Sequence, residues 1–274
     1  MTLTGFLRQN RVERVINTAD SRIGKEKEWT ALGRPFLFLI LTTTEAMCGK
    51  NSEGVRPLSG KRLFIYCAGG LGREVLELAR QTGNYEEISF LDDHCTLPAV
   101  NGAAVCTLGE LMTQGLPAYS RAVVANGEPQ VLRKLIANLE DNGIPLETVV
   151  HPSVYLPDST QVQPGVIVQD RVFLGPNVKI GKGSCIYYST ALGHDVSIGA
   201  YSHISMGCMI AGQVTIGSGT YIGAGAVIRN QVTIGKNCII GMGSLVTRDI
   251  PDNVVAYGSP CRVVRENTDG TVFR

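Results

Sequence analysis

The sequence lacks an excess of either charge. Its 25 basic and 24 acidic residues leave a net charge of +1, so no basic field is available to grip nucleic acid or an anionic membrane. It also lacks a long apolar run. The stretch Pro35 to Leu41 puts six apolar residues after a proline, far short of the ~20 needed to cross a bilayer. It lies too deep for an ordinary signal peptide, and no small-residue cleavage site follows it. The eight cysteines form no CxxC pair and no zinc-type spacing, which argues against a metal ribbon or a disulfide framework. They read as reduced thiols in a cytoplasmic protein. Aromatics are scarce at 6%, whereas glycines number 32, a composition suited to short strands and tight turns.

What is present is a period of six. From Leu156 through Val162, Val168 and onward to Ile240 and Val246, every sixth residue is Leu, Ile or Val, sixteen times in succession. Four residues after each aliphatic stands a small or β-branched residue, apart from the final Ile250. A helix would need a period of 3.6. Six-residue units, three to a coil, instead give a left-handed parallel β-helix, a triangular prism that buries each coil against its neighbours. The glycine that often follows the aliphatic, as in Ile180-Gly181 and Ile198-Gly199, is expected to serve corners with positive φ.

Residues 61–150 read differently. Leu63–Tyr66 is a short strand that enters Cys67-Ala-Gly-Gly-Leu-Gly72, followed by a helical stretch Arg73–Gln81. A second strand, Glu87–Leu91, ends in Asp92-Asp93, and a third, Ala122–Ala125, runs into Asn126-Gly127-Glu128 and a helix through Glu140. Strand, glycine turn, helix, strand, acid is the βαβ arrangement that binds nucleotides. Cys67 occupies the place of the first glycine in a GxGxxG frame, so the motif is partial. The expected organisation is an extension of unknown role (1–60, with Met47 as an alternative start), a Rossmann-like nucleotide-sugar-binding domain with a short parallel sheet (61–150), a β-helix (151–266) and a tail (267–274).

Two of the four histidines interrupt the repeat. His194 is followed by Asp195, and Gly212 stands one coil of 18 residues above it. Histidine suits a general base near neutral pH, a neighbouring carboxylate can orient it, and a bare glycine can offer its N–H to an oxyanion. His203 lies half a coil away, on another face, so it meets His194 only across a subunit contact. That predicts a cyclic oligomer, most simply a homotrimer with interfacial sites. Two helix histidines without a third give no zinc site, and no metal is expected.

The ordered set Tyr66–Gly72, Phe90-Leu-Asp-Asp93, His151-Pro-Ser153, Gly193-His-Asp195, Ser202-His203 and Gly258-Ser-Pro-Cys-Arg262 resembles the sialic acid O-acetyltransferase family of hexapeptide-repeat sugar acetyltransferases, which includes bacterial enzymes that N-acetylate UDP-4-amino sugars. The resemblance implies acetyl-CoA as co-substrate and His194 as general base. It places His203, Ala224 and Met242 against acetyl-CoA, and Gly69, Gly70, Leu71, Asp92, Asp93, Gly127 and Gln130 against a nucleotide sugar. Leu71 departs from the histidine common at its position. The expected function is acetyl transfer to a sugar, a nucleotide-linked amino sugar or sialic acid, in surface glycan synthesis. A non-catalytic trimeric nucleotide-sugar sensor and an acetyltransferase with a non-sugar acceptor are the alternatives.

Overall fold

A computed structural model describes residues 60–272; all of the expected extension 1–60 but its last residue, with Met47 and the Pro35–Leu41 run, lies outside them. Among the described residues no helix is long and apolar enough to cross a membrane.

The N-terminal domain is a parallel sheet with one antiparallel edge. Strands β1 (Arg62–Tyr66), β2 (Glu87–Leu91), β4 (Ala103–Cys106) and β5 (Ser120–Val124) run parallel, and β3 (Ala99–Val100) pairs antiparallel with β4, in the order β3-β4-β2-β1-β5. Helices α1 (Gly70–Thr82), α2 (Leu108–Gln114) and α3 (Pro129–Asp141) connect them. The sequence reading lacks β3, β4 and α2. The helix α2 carries a capping box, Thr107 with Glu110, but is only seven residues long with a single buried side chain, Leu111, so its apolar stripe is too short to register as periodic.

The β-helix begins with Val149–Val150, which pair with Ile167–Val168. Three parallel sheets then form the prism. The polar face presents Gln161, Lys179, Ser197, Thr215 and Thr233 outward. The third face presents Ile167, Cys185, His203, Tyr221 and Ile239, and its lower half is covered by the N-terminal domain: Ile167, Cys185 and Tyr187 share a core with Leu63, Ile65, Val75 and Leu76. The apolar face presents Phe173, Ala191, Met209, Val227 and Leu245. Along the chain the apolar face precedes the polar face, and the third face follows it.

Inside the prism the aliphatics from Val168 to Val246 are buried, whereas Val162 is half-buried against them and Leu156 is 39% exposed, so the fully buried run starts two steps later than the periodicity. The small residue four positions on is also buried, and where it is polar it bonds the backbone one coil away: Ser184 Oγ donates to Gly199 O at 2.9 Å, Thr190 Oγ1 to Ser205 O at 2.9 Å, and Thr220 Oγ1 to Gly235 O at 2.8 Å. That is how hydroxyls are tolerated in this core.

The expected role of the glycines is corrected. Positive φ falls two positions later, three residues after the aliphatic, at every corner from Gly165 through Arg171, Asn177, Gly183, Ser189, Asp195 and Tyr201 to Gly243. The glycine directly after the aliphatic answers to close approach. A Cβ on Gly193 would sit 2.7 Å from Gly212 N, and one on Gly175 would sit 2.7 Å from His194 N.

The chain ends with Val254–Tyr257, parallel to Ile239–Ile240, and Arg262–Glu266, antiparallel to it. The tail then returns to the N-terminal domain. Asn267 N donates to Asn253 O at 2.8 Å, and Val272 N to the Glu128 carboxylate at 2.9 Å.

Candidate active site

His194 stands in the corner between the apolar and polar faces. Its ring Nδ1 lies 2.7 Å from Asp195 Oδ2. A carboxylate can only accept, so this contact assigns a proton to Nδ1, and in the neutral ring the lone pair is then on Nε2. Nε2 leans over Gly212, and a side chain there would collide with it. His194 therefore touches both of the other predicted residues, Asp195 and Gly212. Asp195 holds a left-handed φ of 58°, which Asp tolerates better than most residues, and its N–H donates to Pro176 O at 2.9 Å. Its other oxygen, Oδ1, accepts from Asn177 Nδ2 at 2.9 Å. The hydrogen bonds from His194 and then Asn177 hold the Asp195 carboxyl below its ordinary pKa. Both His194 and Asp195 are open to solvent, with side chains 57% and 44% exposed.

A second constellation lies at the corner between the third and apolar faces. A cleft of about 410 Å³ is lined by Leu71, Gly127, Tyr187, His203, Ser205, Met206, Tyr221, Ala224 and Met242. It brings Leu71 and Gly127 of the N-terminal domain together with His203, Ala224 and Met242 of the β-helix. His203 is 3% exposed, packed between Tyr187 and Tyr221 with ring centroids at 4.8 and 5.2 Å. Burial pushes its pKa down to about 4, so it is neutral, and its Nδ1 has no hydrogen-bond partner among the described residues. A buried unpaired nitrogen of this kind awaits a polar group. Tyr187 and Tyr221 carry no motif, and only their places 16 residues before and 18 residues after His203 bring them to it.

The glycine turn sits at the C-terminal end of β1. Cys67 takes φ 85°, the conformation glycine adopts without strain. Gly72 touches the Cys67 carbonyl so closely that no Cβ fits, whereas Gly69 and Gly70 face open space. Asp92 closes the turn. Its Oδ2 accepts from Ala68 N at 2.8 Å and its Oδ1 from His94 N and Cys95 N at 2.9 Å each. Burial raises its pKa, but these three N–H groups outweigh burial and hold it low. Asp93 accepts from Tyr66 Oη at 2.5 Å and from Leu108 N at 3.1 Å. Asp92 thus braces the glycine turn, whereas Asp93 ties the Tyr66 side chain to the start of α2. Gln130 is exposed and lies against Gly270 of the tail. Among the described residues no cluster of three or more His, Cys, Asp or Glu is arranged to hold a metal ion.

Comparison with known proteins follows this division. Residues 62–139 match the PglD N-terminal domain family, and 195–230 and 213–248 match the bacterial transferase hexapeptide (six repeats) family. No curated protein matches the chain. Among solved structures, the acetyltransferase domain of PglB from Neisseria gonorrhoeae in complex with acetyl coenzyme A is 30% identical, with a TM-score of 0.72, over 75% of this chain and 100% of that one. PerB from Caulobacter crescentus in complex with CoA and GDP-perosamine is 32% identical (TM-score 0.69) over 76% and 98%. WeeI from Acinetobacter baumannii is 29% identical (TM-score 0.70) over 74% and 100%.

Proposed function

Because this chain belongs to the hexapeptide-repeat sugar acetyltransferases and is an acetyl-CoA-dependent enzyme, we propose that it N-acetylates a nucleotide-linked amino sugar, with His194 as general base. The observation that carries the reading is the His194–Asp195 pair, with its Nε2 lone pair free at a solvent-open corner. His194 takes a proton from the sugar amine as the nitrogen attacks the thioester carbonyl. The C–N bond forms, the C–S bond breaks, and the imidazolium returns its proton to the departing sulfur, so that coenzyme A leaves as the thiol and His194 is neutral again. Asp195 stabilises the imidazolium that forms. Gly212, whose N–H makes no hydrogen bond with the protein among the described residues, is the donor proposed for the tetrahedral oxyanion.

Acetyl-CoA is assigned to the cleft at His203, Ala224 and Met242. The nucleotide sugar is assigned to Gly69, Gly70 and Leu71, with Asp92 and Asp93 shaping the loop and Gly127 and Gln130 at its rim. The amino acceptor is preferred over sialic acid because PerB binds GDP-perosamine. Glycan synthesis inside the cell is the corresponding setting.

The two corners flank the apolar face, and this supports a homotrimer. If that face turns toward a threefold axis, the His194 corner of one protomer meets the His203–Met242 cleft of the next. Donor, acceptor and base would then converge at each subunit contact.

The test is a screen of UDP-, GDP- and dTDP-linked amino sugars, CMP-sialic acid and free sialic acid with acetyl-CoA, following thiol release. Turnover with a nucleotide-linked amino sugar, lost in His194→Ala by at least ~10²-fold, is expected. Turnover only with sialic acid, or an active His194→Ala, refutes the reading.

A further inference from the structure

We infer that Asn177 is a positioning residue for this reaction, holding one oxygen of Asp195 so that the other stays on His194. The inference rests on the proposed role of His194 and deepens it.

Asn177, Asp195 and Gln213 occupy the same turn position in three successive coils, all with positive φ. Asn177 Nδ2 donates to Asp195 Oδ1 at 2.9 Å, while Asp195 Oδ2 faces His194 Nδ1 at 2.7 Å. The two oxygens therefore have two different jobs. Asn177 is itself fixed from the coil below, since its N–H donates to Ser159 Oγ at 2.9 Å. Above Asp195 the ladder closes on itself, because Gln231 Nε2 donates to Gln213 Oε1 at 3.0 Å. Those amides are thereby engaged with each other.

The setting makes a holder necessary. Asp195 is nearly half exposed, and an exposed carboxylate otherwise rotates among water partners at little cost. The groove beside it is lined by Ser159, Gln161, Lys179 and Ser197. Of the groups facing Asp195 there, Lys179 carries the charge, and it attracts the carboxylate only through space. Asn177 is the side chain that bonds it from below. The spacing 159, 177, 195 is one coil per step, so the ladder is legible once Asp195 is suspected.

Asn177→Gly tests this cleanly, because glycine accepts the left-handed backbone and removes only the amide. Three readouts apply: kcat and KM with acetyl-CoA and the nucleotide amino sugar that turns over, and the His194 imidazole titration followed by NMR, which needs no substrate. Asn177→Gly is expected to lower kcat roughly tenfold, below the 10²–10⁴ range for loss of the base, with KM for acetyl-CoA unchanged. It is expected to move the His194 titration to lower pH, because Asp195 leaves Nδ1. In an Asp195→Asn background, Asn177→Gly is expected to cost nothing further. An unchanged His194 titration with unchanged kcat overturns the inference, as does a loss that adds fully to that of Asp195→Asn. An active His194→Ala sinks the underlying mechanism instead, and the NMR result then still decides whether Asn177 positions the pair.

Discussion

The imidazole of His194 occupies the space that a side chain on residue 212 would fill. The two residues are one coil apart, and the glycine is what lets the ring lie against the turn with Nε2 outward. The obstructing group is the tip of a movable side chain, so Gly212→Ala is expected to fold and displace the ring. Acetyl transfer should fall by about 10²-fold, at the lower end for loss of a general base, with little change in Tm. Gly193→Ala makes the control. Its Cβ would meet Gly212 backbone, which cannot swing aside, and a loss of roughly 1–3 kcal/mol of stability is expected. Kinetics and thermal unfolding of the two variants separate the effects.

The pH profile follows from the same pair. The proposed base works when Nε2 is unprotonated, so kcat/KM should rise with pH through the apparent pKa of the His194–Asp195 pair and then level. Asp195 is an anion held below its ordinary pKa by His194 and Asn177, and its charge favours imidazolium. Asp195→Asn removes that charge. The acid limb should move to lower pH, and the plateau should fall because the ring loses its orienting partner. A limb that stays in place would show that Asp195 does not act on His194.

The β-helix was legible in the sequence because one residue in six must be aliphatic to fill the prism, and no other fold imposes that period. The sites were less so. His194, Asp195 and Gly212 stand out because they break the register and because stacking places residues 18 apart in contact. The same arithmetic reaches Asn177, but an asparagine in a turn has an ordinary conformational reason to be there and gives no signal of its own. Cys67 looked like a defect in the glycine motif, yet it takes the backbone conformation that the motif needs. The cleft at His203 depends on how the N-terminal domain leans on the third face, which no local pattern encodes.

His203 gives stability its own pH dependence. Buried between Tyr187 and Tyr221, it titrates at about 4 instead of the ordinary 6.5. Between those values the unfolded chain binds a proton that the folded chain refuses. Its contribution is therefore fully present above about pH 6.5 and is lost as pH falls toward 4, by roughly 3 kcal/mol at most. His203→Phe, which keeps the aromatic packing, should flatten this part of the profile relative to wild type. Urea unfolding at pH 7.5 and pH 5 measures the difference, and equal slopes in the two proteins would refute it. The same variant should raise KM for acetyl-CoA and leave kcat nearly unchanged if Nδ1 bonds the donor.

The apolar face decides whether the two corners work together. Phe173, Met209, Val227 and Leu245 are 64, 53, 42 and 37% exposed in the single chain, in a column on one sheet, while the polar face carries Gln161, Lys179 and threonines at the equivalent places. A stripe of this kind is costly to leave in water and marks a contact surface. Met209 lies at its middle. Met209→Asp places an unpaired carboxylate where the proposed trimer is driest, a penalty of several kcal/mol, and each 1.4 kcal/mol weakens association about tenfold. Sedimentation should therefore find monomers at micromolar concentration, and acetyl transfer should vanish although His194, Asp195 and Asn177 are untouched. Thr215→Asp, the same change on the polar face, should leave both assembly and activity intact. A Met209→Asp protein that is monomeric yet fully active would show that one chain holds a complete site, and would overturn the interfacial arrangement.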